Sequence, residues 1–249
     1  MKRPFQMTLL VLSGIGLLHV ALFTDLYLRY VKEGMRPLLI ASGVLLILLG
    51  VADAVSYGRR REDDETADHG DDGHGHHHSG APRAAWLLFL PALSLLVYAP
   101  PALGAYTASR EAPRAITHQD DFDPLPAASP LPITLSDFTR RVQQDRTRAI
   151  RDRTVRMTGF VTSGRRGDGW FLTRIIISCC AADAQSVKVR VHGTPAPSAN
   201  TWVVVTGTWH PGGTLGTSSA PVALDARSVE KTAKPVNAYT DALPLTPTR

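Results

Sequence analysis

The only two cysteines of this 249-residue chain are neighbours, Cys179 and Cys180, and a carboxylate, Asp183, stands three residues after the second. Two thiolates with a carboxylate close by are donors for a soft or borderline divalent ion. Successive residues of a strand point to opposite faces, so neighbouring cysteines can grip one ion only where a strand ends or bulges. Residues 181–185, Ala-Ala-Asp-Ala-Gln, read as a turn and supply that distortion. Three uses of the pair stay open on the residues alone. Both thiolates bind an ion, with Asp183 or His192 completing the shell. Or the two form a strained vicinal disulfide. Or one cysteine fills core and the other is a lone thiol. Two cysteines are too few for a disulfide framework, and no Cys-x-x-Cys pair is present.

A second set of donors lies upstream. His69, His74, His76, His77 and His78 are clustered with acidic side chains within residues 59–84. Between Glu62 and Pro82 no hydrophobic residue is larger than alanine, so this loop builds no core and is expected to be disordered. Imidazoles and carboxylates on such a chain bind zinc, nickel or copper loosely and exchange them quickly. The same composition also suits a solvated spacer.

The elements that must hold these groups begin in the membrane. Residues 7–28, 38–55 and 86–106 are each long and apolar enough to span a bilayer, the third interrupted by Pro91, Pro100 and Pro101. Tyr27, Tyr30, Tyr57, Trp86 and Tyr106 sit at segment ends, where amphipathic rings favour the interface. The first segment lacks a small-residue cleavage site and a second follows at once, which reads as an uncleaved anchor. Three ionisable groups fall inside the spans. Asp25 and Asp53 are near helix ends and can reach headgroups, while His19 is either hydrogen-bonded within the bundle or part of a relay. Arg59-Arg60-Arg61 reads as a cytoplasmic stop, which places the C-terminal half outside a cell membrane crossed several times.

After a Pro/Ala-rich linker, 109–132, residues 133–150 read as a helix capped by Thr134 or Ser136. Five strand patterns follow, at 155–162, 170–178, 186–192, 202–209 and 222–229. That count and spacing suggest a small Greek-key barrel of the OB type. Val187, Val189 and Val191 then face inward. Lys188, Arg190 and His192 face outward, as a ligand-binding face or as an ordinary solvated one. The expected fold class is membrane-anchored α plus all-β. It comprises two transmembrane helices in 1–58, the His/Asp-rich loop 59–84, a third helix in 85–108, the linker, and an OB-like domain with a leading helix in 133–249.

The formal net charge of +5 comes from the C-terminal half and suits anionic lipid headgroups. Nucleic acid is not an expected partner of a domain outside the cell. No Walker loop, Gly-x-Ser-x-Gly or His-Glu-x-x-His occurs, and no enzyme activity is expected.

Three blocks of sequence carry a resemblance. They are Val155-Arg156-Met157-Thr158-Gly159-Phe160-Val161, Phe171-Leu172-Thr173-Arg174 and Ser178-Cys179-Cys180-Ala181-Ala182-Asp183-Ala184. In these the chain resembles a bacterial family of uncharacterised membrane proteins with a short helical bundle, a polar loop and a C-terminal domain of unknown function. The resemblance implies a separately encoded polytopic permease as partner and, for some relatives, a link to zinc supply. It implies no catalytic residues, and the five-histidine loop is not part of the motif. The expected function is a membrane accessory subunit of a permease system, handling zinc or another divalent transition metal. The alternative is a non-metal extracytoplasmic interaction module that docks to a permease or an envelope ligand.

Overall fold

The computed structural model describes residues 2–66, 103–111, 117–164 and 169–243, with the side chains of 2–4 and 60–66 left aside. The chain divides into two units. One comprises Met1–Phe23 and Pro37–Ala102, the other Thr24–Arg36 and Leu103–Arg249.

The first unit holds two apolar helices, α1 (Lys2–Phe23) and α2 (Arg36–Thr66). Pro4 and Pro37 fall in their first turns, where a missing N–H breaks no bond. Phe5–Phe23 and Glu33–Arg59 are long and apolar enough to cross a membrane. Leu12, Ile15, Leu45 and Leu48 are all exposed, a surface that suits lipid better than water. The two helices meet through small residues. A Cβ on Gly14 would stand 2.7 Å from the Gly43 carbonyl oxygen, and one on Gly50 would stand 2.8 Å from Val11.

Several expectations change here. The first helix ends at Phe23, short of residue 28. Thr24 Oγ1 accepts the Leu26 N–H and the chain enters a 3₁₀ turn, Leu26–Arg29, so Asp25 lies beyond the helix in an exposed segment. α2 continues to Thr66, into the segment expected to be disordered. His69, His74, His76, His77 and His78 lie outside the described residues, as does the expected third span as far as residue 102. Its last residues, from Leu103 on, belong with the β-sheet unit: helix α3 (Ala105–Arg110) buries Ala105 and Ala108 there.

The second unit is a mixed β-sheet against which α3 and a second helix pack. Its elements are β1 (Leu131–Pro132), α4 (Leu135–Gln144), β2 (Thr154–Ser163), β3 (Trp170–Ile176), β4 (Gln185–His192), β5 (Trp202–Trp209) and β6 (Ala223–Lys231). Thr134 caps α4 by accepting the Asp137 N–H at 3.1 Å, and the helix stops at Gln144 rather than 150. β2, β3 and β4 form an antiparallel meander. β4 pairs parallel with β6, β6 antiparallel with β5, and β5 antiparallel with β2, so the pairings return to their start. Gly207 lies where the β5–β6 register shifts. A Cβ there would meet the Asp225 carbonyl oxygen at 2.2 Å, so only glycine lets the strands close at that point.

The main core gathers Phe138 and Val142 of α4 with Val155, Met157, Trp170, Leu172, Val189, Val191, Val203, Val205 and Leu224. The alternation expected in β4 holds for Val189 and Val191, while Val187 packs at the core's edge. A second cluster lies on the other face of β2 and β3, where Phe160, Ile175 and Ile177 pack against Ala105, Ala108, Ala238 and Tyr239.

Candidate functional site

β3 ends at Ile176 because its partner strand ends there too, at Gln185. Ile177 turns its N–H to the Tyr239 carbonyl at 3.0 Å, and the chain bends through Ser178 and Cys179. Segment 24–36 then takes up the exposed backbone. Cys180 forms a single antiparallel bridge with Val31. Lys32 donates its N–H to the Cys179 carbonyl at 3.1 Å, and Ala181 donates to the Tyr30 carbonyl at 2.7 Å. The cysteine pair therefore stands at a strand end, the geometry two adjacent thiols need to share one side.

Asp183 organises this turn. It closes the short 3₁₀ turn Ala181–Asp183, and its backbone N–H donates to the Cys180 sulfur. Its Oδ1 accepts the Ser178 N–H at 2.8 Å, and Oδ2 accepts the N–H groups of Cys179 at 2.7 Å and Cys180 at 3.4 Å. The Cys179 thiol hydrogen-bonds to the same carboxylate. That bond, more than the three backbone bonds, holds Asp183 at about 2, well below the usual carboxylate range. The same bond, with a smaller one from Cys180, pushes the Cys179 thiol up to about 11. Cys179 is thus a protonated thiol at neutral pH and not an activated nucleophile.

The ligand atoms of Cys179, Cys180 and Asp183 all lie within 4.8 Å of one another. A tetrahedral shell with zinc–sulfur bonds near 2.3 Å places donors about 3.8 Å apart. The three therefore need only small side-chain rotations to fit an ion, with one position left for an outside ligand. Both cysteines are free thiols, Cys179 exposed and Cys180 half-buried, so neither fills core.

The other expected residues lie elsewhere. His192 ends β4, the strand that starts beside the cysteine turn, and is not in the donor cluster. Its ring stacks on His210 with centroids 4.3 Å apart, and His210 Nδ1 meets Asp225 Oδ1 at 2.7 Å. The sequence reading missed His210 and Asp225. They come from a strand exit and a different strand, and no spacing links them. Lys188 and Arg190 line a groove with His192. In the helical unit His19 is exposed and leans on the Phe23 ring at 5.7 Å, and Asp53 is half-buried on α2.

Arg174, within the second resembling block, is buried. Its guanidinium donates to the carbonyls of Asn237 and Thr240 and fastens the C-terminal segment whose Tyr239 carbonyl holds Ile177. Burial lowers its pKa to about 10.

Residues 134–240 match the family model of the DUF1980 C-terminal domain. The match opens at the α4 cap and takes in every strand from β2 to β6, the cysteine turn and the tail clasped by Arg174. It leaves out both apolar helices and covers less than half of the chain. No curated protein matches the chain. Among solved structures, a proposed aspartyl-tRNA synthetase from Leishmania major Friedlin is similar at 16% identity and a TM-score of 0.25, over 54% of this chain and 25% of that one. A score that low identifies no shared fold.

Proposed function

We propose that this chain is a membrane-anchored accessory protein that carries a zinc-like divalent ion at Cys179, Cys180 and Asp183 and exchanges it with a polytopic permease. The convergence of three donors within 4.8 Å at an exposed turn carries the reading. An exposed site with few protein donors suits an ion that is handed on rather than kept. The permease and the zinc link come from the family resemblance. The histidine run, by composition, would supply a looser reservoir.

Two finer points of architecture belong to this proposal. The ring of pairings β2–β3–β4–β6–β5–β2, with β4 parallel to β6, supports an OB-type barrel. Segment 24–36, which joins α1 to α2, is hydrogen-bonded to the cysteine turn. If α1 and α2 both cross the membrane, the loop between them and the β domain share one side. The chain must then cross an odd number of times between α2 and Leu103, and the apolar run 86–102 is the stretch able to do it. This supports three spans.

One observation favours the alternative of a metal-free interaction module. The Asp183 carboxylate is already satisfied by three backbone N–H groups and a thiol, as in a turn built for shape alone. Elemental analysis of the purified full chain separates the two readings. The metal reading expects one equivalent of a divalent transition ion, lost in the Cys179→Ser/Cys180→Ser protein, with sulfur in the X-ray absorption shell at about 2.3 Å. A shell of nitrogen and oxygen only, or ion content unchanged by the double substitution, leaves the interaction module.

A further inference from the structure

We infer that the cavity between segment 24–36 and the tail at 234–239 binds the phosphodiester of an anionic phospholipid headgroup, seated between Arg29 and Lys234 while the acyl chains stay in the bilayer. The inference rests on the membrane-anchored part of the proposed function and is independent of the metal. The cavity, of about 250 Å³, has Leu26, Leu28 and Arg29 on one side and Lys234, Val236 and Tyr239 on the other. All of them belong to the β-sheet unit. The space is smaller than clefts that enclose a whole small molecule, and it suits a headgroup whose remainder lies outside.

Chain connectivity brings this cavity to the membrane surface. Segment 24–36 leaves α1 at Phe23 and enters α2 at Arg36. Only residues 24–28 separate Arg29 from Phe23, a reach of at most about 20 Å even when fully extended. The 3₁₀ turn Leu26–Arg29 shortens that reach further. With α1 and α2 across a bilayer, Arg29 stays beside the headgroups. The neighbouring side chains agree. Leu26 is 47% exposed and Tyr30 37%, an aliphatic group and an amphipathic ring beside a basic cavity, which suits an anionic interface.

Lys234 Nζ donates to the Tyr239 hydroxyl at 3.1 Å and lies 4.6 Å from the centroid of that ring, so both contacts are neutral. Tyr239 donates in turn to the Leu103 carbonyl at 2.8 Å, which fixes its oxygen as the acceptor for the ammonium. Burial, and then the like charge of Arg29, lower the Lys234 pKa, and among the described residues no carboxylate raises it. Two like charges facing one cavity repel, and an anion between them replaces that repulsion with two attractions. Asp25 also lines the cavity, is exposed, and acts on Tyr27 rather than on Lys234. Two cations and one carboxylate leave a single positive charge, the complement of one phosphodiester.

The test uses the full chain in dodecyl maltoside, a detergent without phosphorus, and reads the ³¹P NMR line width of added phosphatidylglycerol. The expected result is saturable broadening, with affinity lower by roughly tenfold in Lys234→Gln and in Arg29→Gln, the scale of one lost charged hydrogen bond. Arg227→Gln removes an equal charge from an exposed position on β6 and should bind as wild type does. Cys179→Ser/Cys180→Ser should also bind as wild type does, which separates this site from the metal reading. Equal affinity in the Lys234 and Arg29 variants would show that the lipid lies only around the apolar helices, and would overturn the site. Displacement by an equal concentration of glycerol 3-phosphate would assign the cavity to a soluble phosphate ester instead of a lipid. Displacement by diacylglycerol, which keeps the tails and lacks the phosphate, would remove the headgroup from the account. Both competitions use the wild-type chain and decide the matter even where a variant fails to fold. Release of the chain from membranes by alkaline carbonate would sink the anchor and this site together, whereas lipid binding lost from a chain that stays in the membrane sinks the site alone.

Discussion

At neutral pH the Cys179 thiol keeps its proton because the carboxylate beside it accepts the S–H, and any ion must displace that proton. A thiol titrating near 11 instead of 9 has about a hundredfold less thiolate at neutral pH. In a Cys180→Ser background, iodoacetamide alkylation of Cys179 should therefore climb through pH 11. Asp183→Asn should bring the midpoint back toward the ordinary thiol value. A midpoint near 9 with Asp183 intact would show that the carboxylate does not hold the thiol. The signs for stability follow. Cys179, raised in the fold, contributes stability that is full below its unfolded pKa and is lost as pH rises through about 11. Asp183, lowered in the fold, contributes stability present above 3.8 and lost as pH falls through about 2. Because Asp183 ties three backbone N–H groups, Asp183→Ala should lower the melting temperature of the metal-free protein as well as its metal affinity. A role as ion ligand alone would leave the metal-free melting temperature unchanged.

Among the elements, the strand end at Ile176 matters most, since it lets neighbouring cysteines face one way. It is held from two sides. Segment 24–36 bonds to Cys179 and Ala181, and the tail at 237–241, clasped by Arg174, bonds to Ile177. Arg174→Met should destabilise the domain by about 2 kcal/mol, the scale of a lost charged hydrogen bond, and speed amide exchange at Ile177. Protection of Ile177 unchanged in that variant would show that the clasp does not reach the site. Thr134→Ala should cost about 1 kcal/mol through the loss of the α4 cap, measurable by denaturant unfolding. In the helical unit Gly14→Leu should break the close approach of α1 and α2, because a side chain there meets Gly43 and Ile47. Cross-linking between cysteines introduced in the two helices should fall.

For the whole molecule the cysteines double as reporters of sidedness, since the chain has no others. An impermeant maleimide applied to intact cells should label Cys179 if the β domain is external. In a Cys179→Ser/Cys180→Ser background, Lys32→Cys should label on the same side, because segment 24–36 and the cysteine turn share one unit. Opposite labelling of the two positions would rule out three spans together with the strand bridge at Val31.

Periodicity and composition were enough to place strands β2 to β6 and the two apolar helices, because both depend on local pattern: alternation for β4, unbroken aliphatic runs for α1 and α2; the two-residue β1, inside the expected linker, carries no such pattern. They also marked Cys179, Cys180 and Asp183, since neighbouring donors in sequence stay neighbours in space. Distance along the chain hid the rest. Residues 24–28 read as the end of a span and 29–36 as a plain inter-helix loop, and only folding lays this segment beside Cys180, some 150 residues away, as an added strand bridge. Residues 103–110 carry the end of an apolar run, and only the packing of Ala105 and Ala108 on Phe160 and Ile175 assigns them to the β domain. The exclusion of His192 from the cysteine site follows from strand geometry, since the two lie at opposite ends of β4. Its partnership with His210 and Asp225 was decided by the tertiary fold, which brings the end of β4 beside β6 and the exit of β5.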